Sequence, residues 1–238
     1  MIDQTLDNVL FFPFIAPPNG GKGTQTSVLS DLFQMPRIDM GSMLREIAKE
    51  DSSLGREVNE RLINGLLVDT PIVMDVMQDG VMKALQQHPN AQGRVGFILD
   101  GFPRNLEQTQ GLMGLCERTG ASVAKAIYLD VPNEKIIERA VNRRICPVCG
   151  TIYNLAFKPP KQDGLCDLEG ATLEQRADDR PEKVERRLIA FADETLPILQ
   201  EFEQRGLLVR VNGDRPVKEV TEQLSQLMQG YLSPANAL

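Results

Sequence analysis

Lys22 stands in a short glycine-rich turn, GGKGTQ at 20–25, entered from the apolar run VLFFPFIA. A lysine behind such a turn, at the start of a helix, suits phosphate chemistry. Backbone N–H groups and an ammonium surround phosphate oxygens, and the helix dipole adds to the field. The pattern G-x-x-x-x-G-K-[ST] is met by Gly21 and Lys22 and, one place late, by Thr24, but Ala16 stands where the first glycine belongs. Ala16 is strained only if its position demands positive φ. Further along, Asp100 closes the apolar run GFILD and Arg104 follows in DGFPR. A carboxylate ending a strand lies at the carboxyl edge of a sheet, where doubly wound folds bind ligands, and can hold Mg²⁺ through water. Singly, Asp100 reads as a turn or cap residue and Arg104 as a solvated charge. A third set is Cys146-x2-Cys149, then sixteen residues, then Cys166-x2-Glu169. Paired thiolate knuckles of this kind suit structural zinc, with a carboxylate as fourth ligand.

The elements that must carry these residues follow from periodicity. Apolar runs at 9–15, 95–99, 124–130 and 207–211 read as buried strands. Helical spacing covers 21–33, 70–87, 105–119, 133–143, 181–204 and 216–231. Pro181 takes a favoured first helical position, and Val184, Leu188, Phe191, Leu199 and Phe202 keep one face largely apolar. Strand alternating with helix predicts a parallel sheet covered on both faces. Two stretches break the rhythm. Residues 39–68 hold two short helical patterns, and 144–177, rich in Pro, Gly, Cys and Asp, read as a lid or small separate unit. Pro13, inside the first strand, removes a ladder donor, which predicts a shift or bulge there.

The 238 residues carry a net charge of -7, with 17 Arg against 9 Lys. An acidic balance argues against general affinity for nucleic acid or anionic membranes. The eight-residue apolar run cannot span a bilayer, and four cysteines do not suggest a disulfide framework, so a cytoplasmic protein is expected. Cys116 reads as a plain thiol, and the single histidine, His88, as a loop residue.

The motifs GGKGTQ, GSMLRE, LDGFPRNLEQ, ERAVNRRICPVCG, QRADDRPEKVERRL and VNGDRPV, in this order and spacing, resemble adenylate kinase, of the nucleoside monophosphate kinase family, in its long-lid form. The resemblance implies a P-loop core (1–38, 69–141 and 180–238), an NMP-binding insert (39–68) and a lid (142–179). It implies reversible phosphoryl transfer from Mg-ATP to AMP giving two ADP; a monomer is expected. Lys22 matches the P-loop lysine, within an ATP loop of Asn19, Gly20, Gly21, Gly23 and Thr24. Arg139 matches the arginine against the ATP adenine and Arg143 one on its phosphates, with Arg215 also on the ATP side. Arg45 and Arg104 match the AMP-phosphate arginines, Gln108 the glutamine that reads adenine, and Met40, Val68 and Gly101 further AMP positions. Arg176 and Arg187 match lid-side arginines that bridge donor and acceptor, Asp100 the Mg²⁺-orienting aspartate, and Asp178 and Asp179 the lid-hinge pair. Lids of this family often carry zinc on four cysteines, or on three and an aspartate, so Glu169 is a departure.

Other departures touch the nucleotide sites. Asn19 replaces a loop glycine, and asparagine is among the residues that best tolerate left-handed backbone. Where the family usually reads STGD or ATGD, this chain has Asp39-Met40-Gly41-Ser42, and Met40 cannot donate the hydroxyl that helps to recognise adenine. Two alternatives stay open at this point: a kinase for another NMP or a dNMP, and a weak or inactive nucleotide-binding regulatory protein.

Overall fold

A computed structural model of the chain describes residues 5–87, 95–176 and 179–232; His88 and Asp178 lie outside them. The strands are β1 (Val9–Ile15), β2 (Arg37–Asp39), β3 (Val95–Asp100), β4 (Ser122–Val123), β5 (Ala126–Asp130), β6 (Arg143–Ile145), β7 (Ile152–Asn154) and β8 (Leu208–Asn212). The helices are α1 (Lys22–Phe33), α2 (Met40–Ile47), α3 (Ser53–Ile63), α4 (Thr70–Gln87), α5 (Leu106–Thr119), α6 (Asn133–Asn142), α7 (Pro181–Ala190), α8 (Leu196–Gln204) and α9 (Val217–Leu232).

The main sheet runs β2-β3-β1-β5-β8, with β4 also on β1, and its pairs are all parallel. Every residue of β1 is buried, as a central strand covered on both faces requires. Phe11, Phe97, Leu99 and Met77 lie in the cluster on one face, and Phe12, Ile98, Leu29 and Leu224 in the cluster on the other. This is the parallel sheet covered by helices on both faces that the alternation predicts.

Pro13 leaves β1 unbroken: its register with β3 runs from Val9↔Val95 to Phe14↔Asp100. The irregularity sits in the neighbour on the other side. Phe11 pairs with Val123 and Phe14 with Ile127, three steps on β1 against four on the partner, so one extra residue is accommodated where β4 gives way to β5. The Phe11 carbonyl accepts from Ala124 N–H and the Asn8 carbonyl from Val95 N–H. Backbone groups of alternate residues therefore face alternate neighbours, and Pro13 turns toward the break. The expected bulge exists, but it belongs to the partner strand.

One expected helix, 181–204, is interrupted. Phe191–Thr195 forms a π-helical turn between α7 and α8. Pro197 has no N–H for the Asp193 carbonyl, and a wider turn absorbs that loss. At this joint Thr195, 5% exposed, donates its hydroxyl to the Arg104 carbonyl at 2.8 Å.

Candidate active site

Between β1 and α1 the chain makes a tight turn. Gly20 N–H donates to the Pro17 carbonyl at 3.0 Å. Asn19 (φ 59) and Gly21 (φ 84) are left-handed, so Asn19 takes up the conformation expected of it, whereas Ala16 has no positive φ and carries no strain. The Asn19 amide oxygen and nitrogen are buried without a hydrogen-bond partner among the described residues. No side chain caps α1, and its first turn holds no acidic residue. The orphan N–H groups of that turn are thus left to an outside acceptor.

Lys22, on the first turn of α1, meets Asp100 at the end of β3. Asp100 is 2% exposed, and a carboxylate so buried needs partners. Besides the Lys22 ammonium it has two more: Thr26 Oγ1 donates to Oδ2 at 2.6 Å, and Arg37 donates from Nε at 3.0 Å and Nη2 at 2.6 Å. Arg37 Nη2 also reaches Asp39 Oδ2 at 2.9 Å. Asp39 lies opposite Asp100 in the β2–β3 register and caps α2 by accepting from Ser42 N–H at 3.0 Å. Burial opposes the charge on Asp39, but Arg37 and the Ser42 N–H and hydroxyl hold its carboxyl below the usual value. Desolvation, then Arg104, pulls the Lys22 ammonium down to about 7, with Arg37 and Arg187 adding and Asp39 opposing.

Arg104 lies beside the same group, across Gly101 from Lys22. Its Nε donates to the Gly101 carbonyl at 2.9 Å, and its backbone N–H donates to Gln108 Oε1 at 2.8 Å. A Cβ added to Gly101 would lie 3.0 Å from Arg104 Nη2 and 3.5 Å from Lys22 Nζ. Arg45 donates to Ser42 Oγ at 2.9 Å. Arg187, on α7, packs against Gly65 after α3. Arg139 donates to the Gly213 carbonyl and to Asp214, both at 3.1 Å, beside the glycine-rich turn. Arg143 is turned to Asp179, and Arg215 is exposed in the turn before α9. Arg176 is half-buried, and its carbonyl accepts from Asp179 N–H. Met40 and Val68 are 1% and 4% exposed in the main core.

In the 142–179 segment two knuckles share one geometry. Gly150 N–H bonds the Cys146 carbonyl and Gly170 N–H the Cys166 carbonyl; Cys146 N–H bonds the Thr151 carbonyl and Cys166 N–H the Ala171 carbonyl. Both knuckle glycines are left-handed. Cys149 and Glu169 thus hold matching positions. The Sγ atoms of Cys146, Cys149 and Cys166 lie within 4.8 Å of one another, a donor set that fits zinc. Glu169 is exposed and outside this group. The Tyr153 hydroxyl stands 3.4 Å from Cys166 Sγ and pulls that thiol down to about 6. Cys116 is buried in α5, and burial pushes its thiol up to about 11.

A family model described as adenylate kinase matches residues 14–207. Adenylate kinases of Oceanobacillus iheyensis, Caldicellulosiruptor bescii and Staphylococcus aureus are 38%, 36% and 35% identical to this chain. The aligned parts cover 89%, 88% and 89% of this chain and 95%, 94% and 95% of those proteins. The chain belongs to the adenylate kinase family.

Membership makes it a phosphotransferase with nucleotide substrates. Among the described residues no helix is long and apolar enough to cross a membrane. Within this adenylate kinase fold, Thr26 and Arg37 were not evident from motif matching, although both touch Asp100. A signal for Arg37 was present: Arg37 and Asp39 are two apart in a strand and share a face.

Proposed function

We propose that this chain transfers a phosphoryl group reversibly between ATP and AMP, giving two ADP, and that Lys22, Asp100 and Arg104 form the centre of the reaction. The observation that carries this reading is the convergence of Lys22 and Arg104 on Asp100 and Gly101 at the carboxyl edge of β3. Transfer of a loosely bonded phosphoryl group needs positioned phosphates and cations for spread negative charge. In this reading Asn19, Gly20, Gly21, Gly23 and Thr24 offer the cradle, and Lys22 reaches the transferred group. Arg139, Arg143 and Arg215 serve the ATP side. Arg45 and Arg104 hold the AMP phosphate, and Arg176 and Arg187 close on it from the lid side, excluding water that would compete as acceptor. Met40, Val68, Gly101 and Gln108 line the acceptor side.

Mg²⁺ fits this site. Asp39 and Asp100 stand side by side across β2 and β3, and paired carboxylates suit a hydrated, oxygen-seeking cation. When bound it neutralises charge on the phosphates. In the lid, Cys146, Cys149 and Cys166 would hold zinc, with Glu169 in the fourth knuckle position. The 39–68 and 142–179 inserts act as the moving parts, and the protein works as a cytoplasmic monomer.

The test is product formation from ATP and Mg²⁺ with AMP, dAMP, GMP, CMP and UMP in turn, beside a Lys22→Ala protein. ADP from AMP, lost in the variant, is the expected result. Turnover only with another acceptor would shift the reading to Asp39, Met40 and Ser42. A folded protein that binds ATP and turns over none of them would overturn it.

A further inference from the structure

Arg37 has no counterpart among the motif residues, yet its guanidinium occupies the centre of the carboxylate pair. It gives Asp100 two hydrogen bonds and Asp39 one. With Lys22 and Thr26 added, the two Asp100 oxygens are engaged by donors. Arg37 also lies at the mouth of the phosphate turn: a Cβ added to Gly23 would be 3.7 Å from Arg37 Nη2 and 4.0 Å from Asp100 Oδ2. The fold does not explain this placement. β2 is the edge strand of the sheet, and the Arg37 side chain is 24% exposed. Sequence and register do explain it: Asp39, where this family usually has a small hydroxyl or methyl residue, stands opposite Asp100 in the register. Two carboxylates so close repel unless a cation lies between them.

We infer that Arg37 is a built-in counter-cation for the Asp39–Asp100 pair, occupying the place that a hydrated divalent ion would take, so that a metal reaches these carboxylates only as Arg37 withdraws. The inference rests on the nucleotide-site reading above. A guanidinium and a hydrated cation need the same carboxylate oxygens, so they compete. A guanidinium at the mouth of the turn also contacts phosphate directly. Arg37 therefore favours metal-free ATP and disfavours its Mg²⁺ complex. It is a positioning residue that sets the metal dependence of nucleotide binding.

The measurement is ATP affinity by titration calorimetry at constant ionic strength, without AMP, once with EDTA and once with saturating Mg²⁺. Wild type, Arg37→Gln and Arg37→Lys are compared, with thermal unfolding to confirm folding. The ratio of the EDTA Kd to the Mg²⁺ Kd is expected to rise about tenfold or more in Arg37→Gln, with Arg37→Lys between the two, as loss of one close charge pair implies. A merely structural role would weaken both affinities by one factor and leave the ratio alone. An unchanged ratio in Arg37→Gln overturns the inference and spares the nucleotide site. Wild type that binds ATP under neither condition overturns both.

Discussion

Arg143 grips Asp179 with two parallel hydrogen bonds, Nε to Oδ2 at 2.7 Å and Nη2 to Oδ1 at 2.5 Å. The pair joins the start of β6 to the residues just before α7, so it ties together the two ends of the 142–179 segment. Asp179 is fully buried and Arg143 13% exposed. Removing one partner of such a pair leaves an uncompensated buried charge, at a cost of about 3–5 kcal/mol. Asp179→Ala is expected to lose stability on that scale in urea unfolding, and Arg143→Lys less. An unshifted midpoint in Asp179→Ala would show that the two ends of this segment are held by other contacts.

Nucleotide binding is expected to be proton-linked through Lys22. Its ammonium is lowered from 10.5 to about 7, chiefly by desolvation, then by Arg104, Arg37 and Arg187, with Asp39 opposing. In the free protein the charged form therefore dominates below pH 7 and fades above it. An arriving phosphate favours the charged form and raises the pKa again. Calorimetry in buffers of different ionisation enthalpy should register proton uptake on ATP binding near pH 8 and little near pH 6. Lys22→Arg, charged throughout, should abolish the uptake. The sign for folding is opposite to that of a paired lysine: stability attributable to Lys22 declines as pH falls from 10.5 toward 7.

Pro13 sits where no ladder donor is needed, and its neighbours do not. Pro13→Val is expected to shift stability by less than about 1 kcal/mol, the scale of one net hydrogen bond. Phe12→Pro places the same ring on the side facing β3, where pairing is continuous. It should destabilise strongly or prevent folding. Comparable unfolding midpoints for the two variants would contradict the alternation of backbone groups along β1.

Much of this was legible in the sequence, for identifiable reasons. Long apolar runs gave β1 and β3, and helical spacing gave α5; the caps that start α5 and α3, where Asn105 accepts from Gln108 N–H and Ser52 from Gly55 N–H, are seen only in the structure. Short strands such as β2 and β4 carry too few residues for a period to be read. The π turn was hidden because Pro197 falls in a window that is otherwise helical. In the candidate site, Lys22, Asp100 and Arg104 stood out only once the motifs GGKGTQ and LDGFPRNLEQ were matched to the family. Arg37 and Thr26 did not, because their contact with Asp100 depends on strand order and on the position of α1 against the sheet. Glu169 matches Cys149 by backbone geometry, yet its carboxylate stays outside the thiol group.

Zinc should be present at about one per chain, as three converging thiols and a fourth ligand position imply. Metal analysis of protein purified without chelator checks this. Removing the metal should lower the unfolding temperature, and Cys149→Ser should lose metal more readily than Glu169→Ala. A thiol-blocking reagent should release the metal in proportion to the cysteines it modifies. Protein that carries no zinc, and is unaffected by chelator, would leave the lid to its packing around Tyr153 and Leu173.

The bond from Thr195 to the Arg104 carbonyl has a mechanical meaning. Arg187 and Thr195 ride on one rod, separated by about 12 Å at the helical rise, while Ile198 and Phe202 beyond the joint are clamped in the core. Thr195→Val is expected to lower turnover more than ATP affinity, measured by steady-state kinetics beside calorimetry. A rod held at one end and pinned at its joint is a lever, with Thr195 as the fulcrum and the π turn as the compliant section. The load on that fulcrum is borne by the loop that carries Arg104, so any displacement of Arg187 along the rod would reach Arg104 as torque.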